Sequence, residues 1–116
     1  MDAKLFDHTI LKADADREAV KKVCSEAKEY GFMSVCVNGF YTSYVAGQLA
    51  GSGVKVCTVV GFPLGYSATA AKVTEVEQAL ADGCTEIDMV VNISDVKNGD
   101  YARVEEEIRT LKRVCK

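Results

Sequence analysis

Four short runs rich in β-branched and apolar residues recur along this chain, each followed by a stretch with helical periodicity. They fall at residues 5–11, 33–38, 54–60 and 86–92. The helical stretches begin at a cap on Asp14 or Asp16 and reach about Tyr30, then cover 40–50, 67–81 and 101–114. Gly31, Gly51-Ser52-Gly53, Asp82-Gly83 and Asn98-Gly99-Asp100 punctuate them, each where a helix should stop or a turn should form. Strands that alternate with helices in this way pair in parallel, because a parallel pair needs a crossover between its members. Four βα units over residues 1–116 make one domain, and two architectures satisfy them. One is a (β/α)4 half of an eight-stranded TIM barrel. The other is an open, flavodoxin-like sheet. Periodicity does not separate them.

The run Glu86-Ile87-Asp88-Met89-Val90-Val91-Asn92 carries a carboxylate in its middle and an amide at its end. Alternation puts Asp88, Val90 and Asn92 on one face and Ile87, Met89 and Val91 on the other. A carboxylate in a strand that reads as buried on both faces is costly unless it is paired, hydrogen-bonded or in use. Asp88 is therefore the most informative polar residue. Asp7 occupies a similar place in the first run. His8 beside it turns to the opposite face, where a packed and hydrogen-bonded imidazole is the expectation.

Ligands of parallel α/β folds bind at the carboxyl ends of the strands. That rim contains Asn38, Asn92 and the loop Gly61-Phe62-Pro63-Leu64-Gly65, with Cys36 and Asp88 one layer below. The loop glycines allow either close approach to a ligand or a tight strand-to-helix connection. Cys36 reads as apolar filler, because no histidine faces it. Lys72 reads as half of a helical surface pair with Glu75. No lysine lies inside a strand near its carboxyl end. Lys55 is at the wrong end, and Lys12 and Lys97 sit on loops where an amine stays protonated.

Composition excludes several functions. A net charge of −3 with scattered bases and no basic stripe argues against nucleic acid. No apolar run approaches a membrane span and the start is no signal peptide, so the cytoplasm is the expected compartment. Five cysteines without CxxC spacing, and a single histidine, suggest neither a disulfide framework nor a metal site.

Five segments together carry a resemblance. They are Asp7-His8-Thr9-Ile10-Leu11-Lys12, Ser34-Val35-Cys36-Val37-Asn38, Thr58 through Gly65, Thr69-Ala70-Ala71-Lys72 and Glu86 through Asn92. In order and spacing they resemble the amino-terminal half of deoxyribose-phosphate aldolase. Gly39 departs from the proline many members carry there. The resemblance implies a (β/α)8 barrel and a class I aldol reaction through a Schiff base on a lysine, with no metal and no other cofactor. The substrate would be 2-deoxy-D-ribose 5-phosphate, cleaved to glyceraldehyde 3-phosphate and acetaldehyde. Asp88 matches the family's proton-relay residue, and Asp7 and Cys36 match residues that line its site.

The same resemblance places the Schiff-base lysine, a second active-site lysine and the phosphate-binding residues on strands and loops beyond the fourth unit. None of them is in this sequence. The expectation is an aldolase half, inactive alone, that handles a sugar phosphate only when the second half is supplied. A half barrel leaves its first and fourth strands open and an apolar inner face uncovered, which predicts a homodimer closed edge to edge. A self-assembling scaffold or a binding module without catalysis is the alternative.

Overall fold

The computed structural model describes residues 1–115 and contains a four-stranded parallel sheet in the order β1-β2-β3-β4. Strand β1 is Asp7–Thr9, β2 Ser34–Val37, β3 Lys55–Val60 and β4 Glu86–Met89. Helix α1 (Arg17–Tyr30) joins the first two strands, α2 (Thr42–Leu49) the next two, and α3 (Thr69–Ala81) the last two; α4 (Ile93–Lys97) and α5 (Tyr101–Cys115) follow β4. Sequential neighbours throughout, with no strand inserted out of order, are what one half of a closed barrel requires. A flavodoxin-like order would move the first strand inward, and it is not found.

Alternation along the strands sorts the residues into two faces. Val35, Val37, Val56 and Val60 point toward the helices, where they meet Val20, Cys24 and Ala27 of α1, Val45 and Leu49 of α2, Val76 of α3 and Leu111 of α5. Ile87 and Met89 join the same side. Thr58 also faces this way, and its hydroxyl meets that of Thr42 at 2.9 Å, so neither buried oxygen is left without a partner. His8 leaves β1 on this side as well, 2.9 Å from Glu26 and edge-on to Phe32.

The other face is concave. It carries Asp7 and Thr9, Ser34 and Cys36, Lys55, Cys57 and Val59, then Glu86 and Asp88. The register pairs Thr9 with Cys36, Cys36 with Cys57, and Cys57 with Glu86. An apolar inner face is thus replaced by a mixed one, with acids on both outer strands and thiols between them.

Local chemistry explains the ends of the elements. Asp16, of the two candidate caps, accepts from the Ala19 amide at 2.9 Å, and Gly31 ends α1 in the left-handed region at φ 69°. The first strand is shorter than expected because Asp2 caps a 3-10 turn at Ala3–Leu5, drawing Leu5 out of the sheet. The second helix starts late for a similar reason: Asn38 accepts from Tyr41 and caps a 3-10 turn at Gly39–Tyr41. Helix α4 was not anticipated, although its signals were present: Asn92 caps it by accepting from Ser94, and Asp95 lies in its first turn.

Candidate active site on the concave face

Asp88 stands on the concave face of β4, as alternation requires, but it is exposed rather than buried. The cost of a buried carboxylate never arises, because nothing among the described residues covers Asp88 itself. Asp7, three strands away, is also exposed and accepts a hydrogen bond from the Ser34 hydroxyl at 2.7 Å. Neither carboxylate takes part in an ion pair among the described residues.

Cys36 and Cys57 occupy the centre of the face, side by side on neighbouring strands and packed against Val59 and Leu11. Their sulfurs lie within 4.8 Å of each other. The interaction with the neighbouring Cys57 thiol lowers the pKa of Cys36, against burial and the negative field of Asp88, Asp7 and Glu86. It raises the pKa of Cys57, and burial adds to the rise. Cys36 is therefore the member of the pair that ionises first, with Cys57 as the donor that stabilises its thiolate. Reading Cys36 as filler missed this, because its partner is 21 positions along the chain and only strand pairing brings the two together.

The rim above these groups is made by Asn38, Asn92 and the glycine loop. The two asparagines lie where expected, at the carboxyl ends of β2 and β4, half-buried, and both spend their side-chain oxygens capping the next helical turn. Asn92 also borders a cavity of about 280 Å³ lined by Tyr66, Thr69, Asp95 and Arg103, which none of Asp7, Cys36 or Asp88 reaches.

The loop glycines answer to packing. A Cβ on Gly65 would lie 2.0 Å from the Val91 carbonyl oxygen, and one on Gly61 would lie 2.8 Å from Cε of Lys72; both residues have positive φ. The Gly61 amide donates to Glu75 at 2.9 Å. Glu75 is thus committed to the loop and not to Lys72.

Lys72 is the largest departure from expectation. It is fully buried, and its ammonium donates to the carbonyls of Gly65 at 2.7 Å and Val90 at 2.9 Å and to Glu107 at 2.7 Å. The Thr69 hydroxyl donates to the other oxygen of Glu107 at 2.7 Å. All three ammonium protons have acceptors, so a charge that would be prohibitive alone is compensated. One side chain fastens the loop after β3, the end of β4 and α5. The signal was in the spacing: Lys72 precedes the buried Val76 by four and Ala79 by seven, and Glu107 precedes the buried Leu111 by four, placing both on inward stripes.

Among the described residues, no lysine pairs with Asp88 at the carboxyl ends of the strands. Lys72 is engaged on the helix side, Lys55 begins β3, and Lys12 and Lys97 are exposed on the segments after β1 and β4. The face can thus position a carboxylate acid or base and a low-pKa thiol, without a desolvated amine beside them.

Comparison with known proteins places this arrangement. The chain is 54% identical over 112 residues to the deoxyribose-phosphate aldolase of Mycoplasmoides pirum, a match covering 97% of this chain and 50% of that protein. The corresponding enzyme of Brevibacillus brevis is 50% identical, with 97% and 51% covered. The chain spans about half the length of the curated relatives it matches. Among solved structures, one from Coccidioides immitis, provisionally assigned as a deoxyribose-phosphate aldolase, superposes with a TM-score of 0.94 at 38% identity, covering 97% of this chain and 44% of that one. The tetrameric deoxyribose-phosphate aldolase of Aeropyrum pernix superposes at 0.82 with 32% identity, over 98% and 48% of the two chains. With the family model of DeoC/LacD aldolases matching residues 2–116, and four sequential parallel strands that account for half of its relatives' barrels, this chain belongs to the DeoC/LacD aldolase family.

Proposed function

We propose that this chain supplies the amino-terminal, acid-bearing half of a deoxyribose-phosphate aldolase site. The reaction is the reversible cleavage of 2-deoxy-D-ribose 5-phosphate to glyceraldehyde 3-phosphate and acetaldehyde. Asp88 is the proton-relay residue, Asp7 and Cys36 line the same pocket, and Asn38 and Asn92 shape its rim. The observation that carries this reading is the position of Asp88: on the concave face, near the carboxyl end of its strand, without an ion pair among the described residues and open to whatever completes the barrel.

Chemistry also requires an amine that is neutral at the moment of attack, held in a desolvated pocket. None of the lysines described above is so placed, which supports inactivity of these residues alone. Acetaldehyde with borohydride should leave no adduct on the chain, and deoxyribose 5-phosphate should not be cleaved by it. Addition of a polypeptide carrying the remaining four βα units should restore cleavage, and Asp88→Asn should abolish that restored activity. Cleavage by the chain alone would overturn the reading.

The open edges of β1 and β4 support a homo-oligomer in which β4 of one copy lies beside β1 of another. Light scattering should report a dimer at micromolar concentration. A monomer over that range would leave the half-barrel without a second copy as its cover.

A further inference from the structure

Three metal-ligating side chains converge on the concave face from three different strands. Cys36 on β2 and Cys57 on β3 are register partners, and Asp88 is on β4. One ligand atom from each lies within 4.8 Å of the other two. The thiols are held side by side by the strand ladder, and Val59 and Leu11 form an apolar wall against them. Asp88 is exposed, which gives an entry path. The surroundings favour a cation: Glu86 adds negative field at both thiols and Asp7 at Cys36, and no base pairs with Asp88 among the described residues.

We propose that Cys36, Cys57 and Asp88 form a three-ligand site for a thiophilic divalent cation of the zinc class, with the fourth position open to the concave face. A tetrahedral ion with metal–sulfur bonds of about 2.3 Å and a metal–oxygen bond of about 2.0 Å sets its ligand atoms roughly 3.5–3.8 Å apart. From separations within 4.8 Å the three groups therefore close by at most about 1.3 Å, a range open to side-chain rotation. Two thiolates select zinc, cadmium or cobalt over calcium and magnesium, which take oxygen ligands. Binding replaces the two thiol protons by two metal–sulfur bonds and releases those protons to solvent. Local spacing gave no hint of this site, since the ligands are 21 and 31 residues apart and meet only through the sheet. The site stands on side-chain positions alone and does not rest on the aldolase reading.

Titration of the reduced chain with cobalt(II) tests it. The expected result is a thiolate-to-cobalt charge-transfer band that saturates at one equivalent, with tetrahedral ligand-field bands, all removed by zinc. Cys36→Ser, Cys57→Ser and Asp88→Asn should each weaken binding by at least the roughly 10–100-fold that even an outer-shell partner is worth. Cys115→Ser, away from the site at the end of α5, should bind as the parent does. No band at one equivalent overturns the proposal, and so does a band that survives in the Cys36→Ser, Cys57→Ser double variant. Circular dichroism establishes that each variant is folded. Should a cysteine variant fail to fold, Asp88→Asn decides the matter, since parental affinity in that variant also overturns the three-ligand site.

Discussion

The two faces of one four-stranded sheet have different fates. The helix side is finished: Val35, Val37 and Val60 are fully buried, Thr58 is paired with Thr42, and Lys72 has an acceptor for every proton. The concave side is chemically richer and structurally open, with exposed acids on its outer strands and a thiol pair at its centre. A period of two along each strand produces both. The contrast teaches that stability and chemistry are divided between faces. Burial of apolar area and of one compensated charge holds the sheet together, while the exposed carboxylates of the concave face contribute little to holding it.

That division predicts large effects on the helix side. Lys72→Met leaves Glu107 as a buried carboxylate without its cation, and Glu107→Gln leaves the ammonium without its counter-charge. Each should cost about 3–5 kcal/mol, the usual penalty for breaking a buried pair. The double variant should cost less than the sum of the two, because no uncompensated charge remains. Urea unfolding of the four proteins measures this. Additive losses would mean that the two residues act independently and that the clasp between loop, strand and helix does not exist.

A second substitution tests the seam between the faces. Gly65 has φ 74° and its missing Cβ is replaced in space by the Val91 carbonyl oxygen. Gly65→Ala should cost at least about 1–2 kcal/mol for the left-handed backbone alone, with the clash in addition. The same change at Gly51, also at positive φ but with nothing within 4 Å, isolates the backbone share. Equal losses at the two sites would show that the loop does not press on β4.

Within the open face, the thiol pair should titrate asymmetrically. The Cys57 donor lowers the Cys36 pKa, and Cys57 itself is raised. As pH rises, one thiolate should form below the ordinary cysteine range while the second proton stays bound. For a thiol whose folded pKa is depressed, the associated stability is present above the unfolded value and lost as pH falls through the folded one. Cys57→Ala removes the donor, so Cys36 should ionise at higher pH, followed by thiolate absorbance. An unchanged Cys36 titration would assign its low pKa to some other group.

These effects show what the sequence could and could not disclose. Strand–helix alternation was legible because period 2 and period 3.6 are written into each segment, and the choice of half barrel over flavodoxin order followed from the resemblance. Asp88 was identified for its place in an apolar run, but its exposure was not, since burial depends on what lies across the face. Lys72 was misread as half of a surface pair with Glu75, when its partner is Glu107. Each looks ordinary within its own helix, and only the packing of α3 on α5 makes them a pair. The Cys36–Cys57 contact is hidden for the same reason, because register between strands is a property of the sheet.

The smallest effect is the most discriminating. Asp88 makes no hydrogen bond or ion pair with another side chain among the described residues and is open to solvent. Asp88→Asn keeps its shape and removes its charge. Surface substitutions away from caps, cores and pairs usually change stability by no more than about 0.5 kcal/mol, and this one should stay within that range. Removing a negative charge beside Cys36 and Cys57 should even relieve a little repulsion as the thiols ionise. A carboxylate that the fold does not need, held where a completed barrel would enclose it, is free to serve chemistry. If Asp88→Asn instead unfolded the chain, Asp88 would belong with Lys72 as a structural charge, and the division between the two faces would fail at the residue on which it depends most.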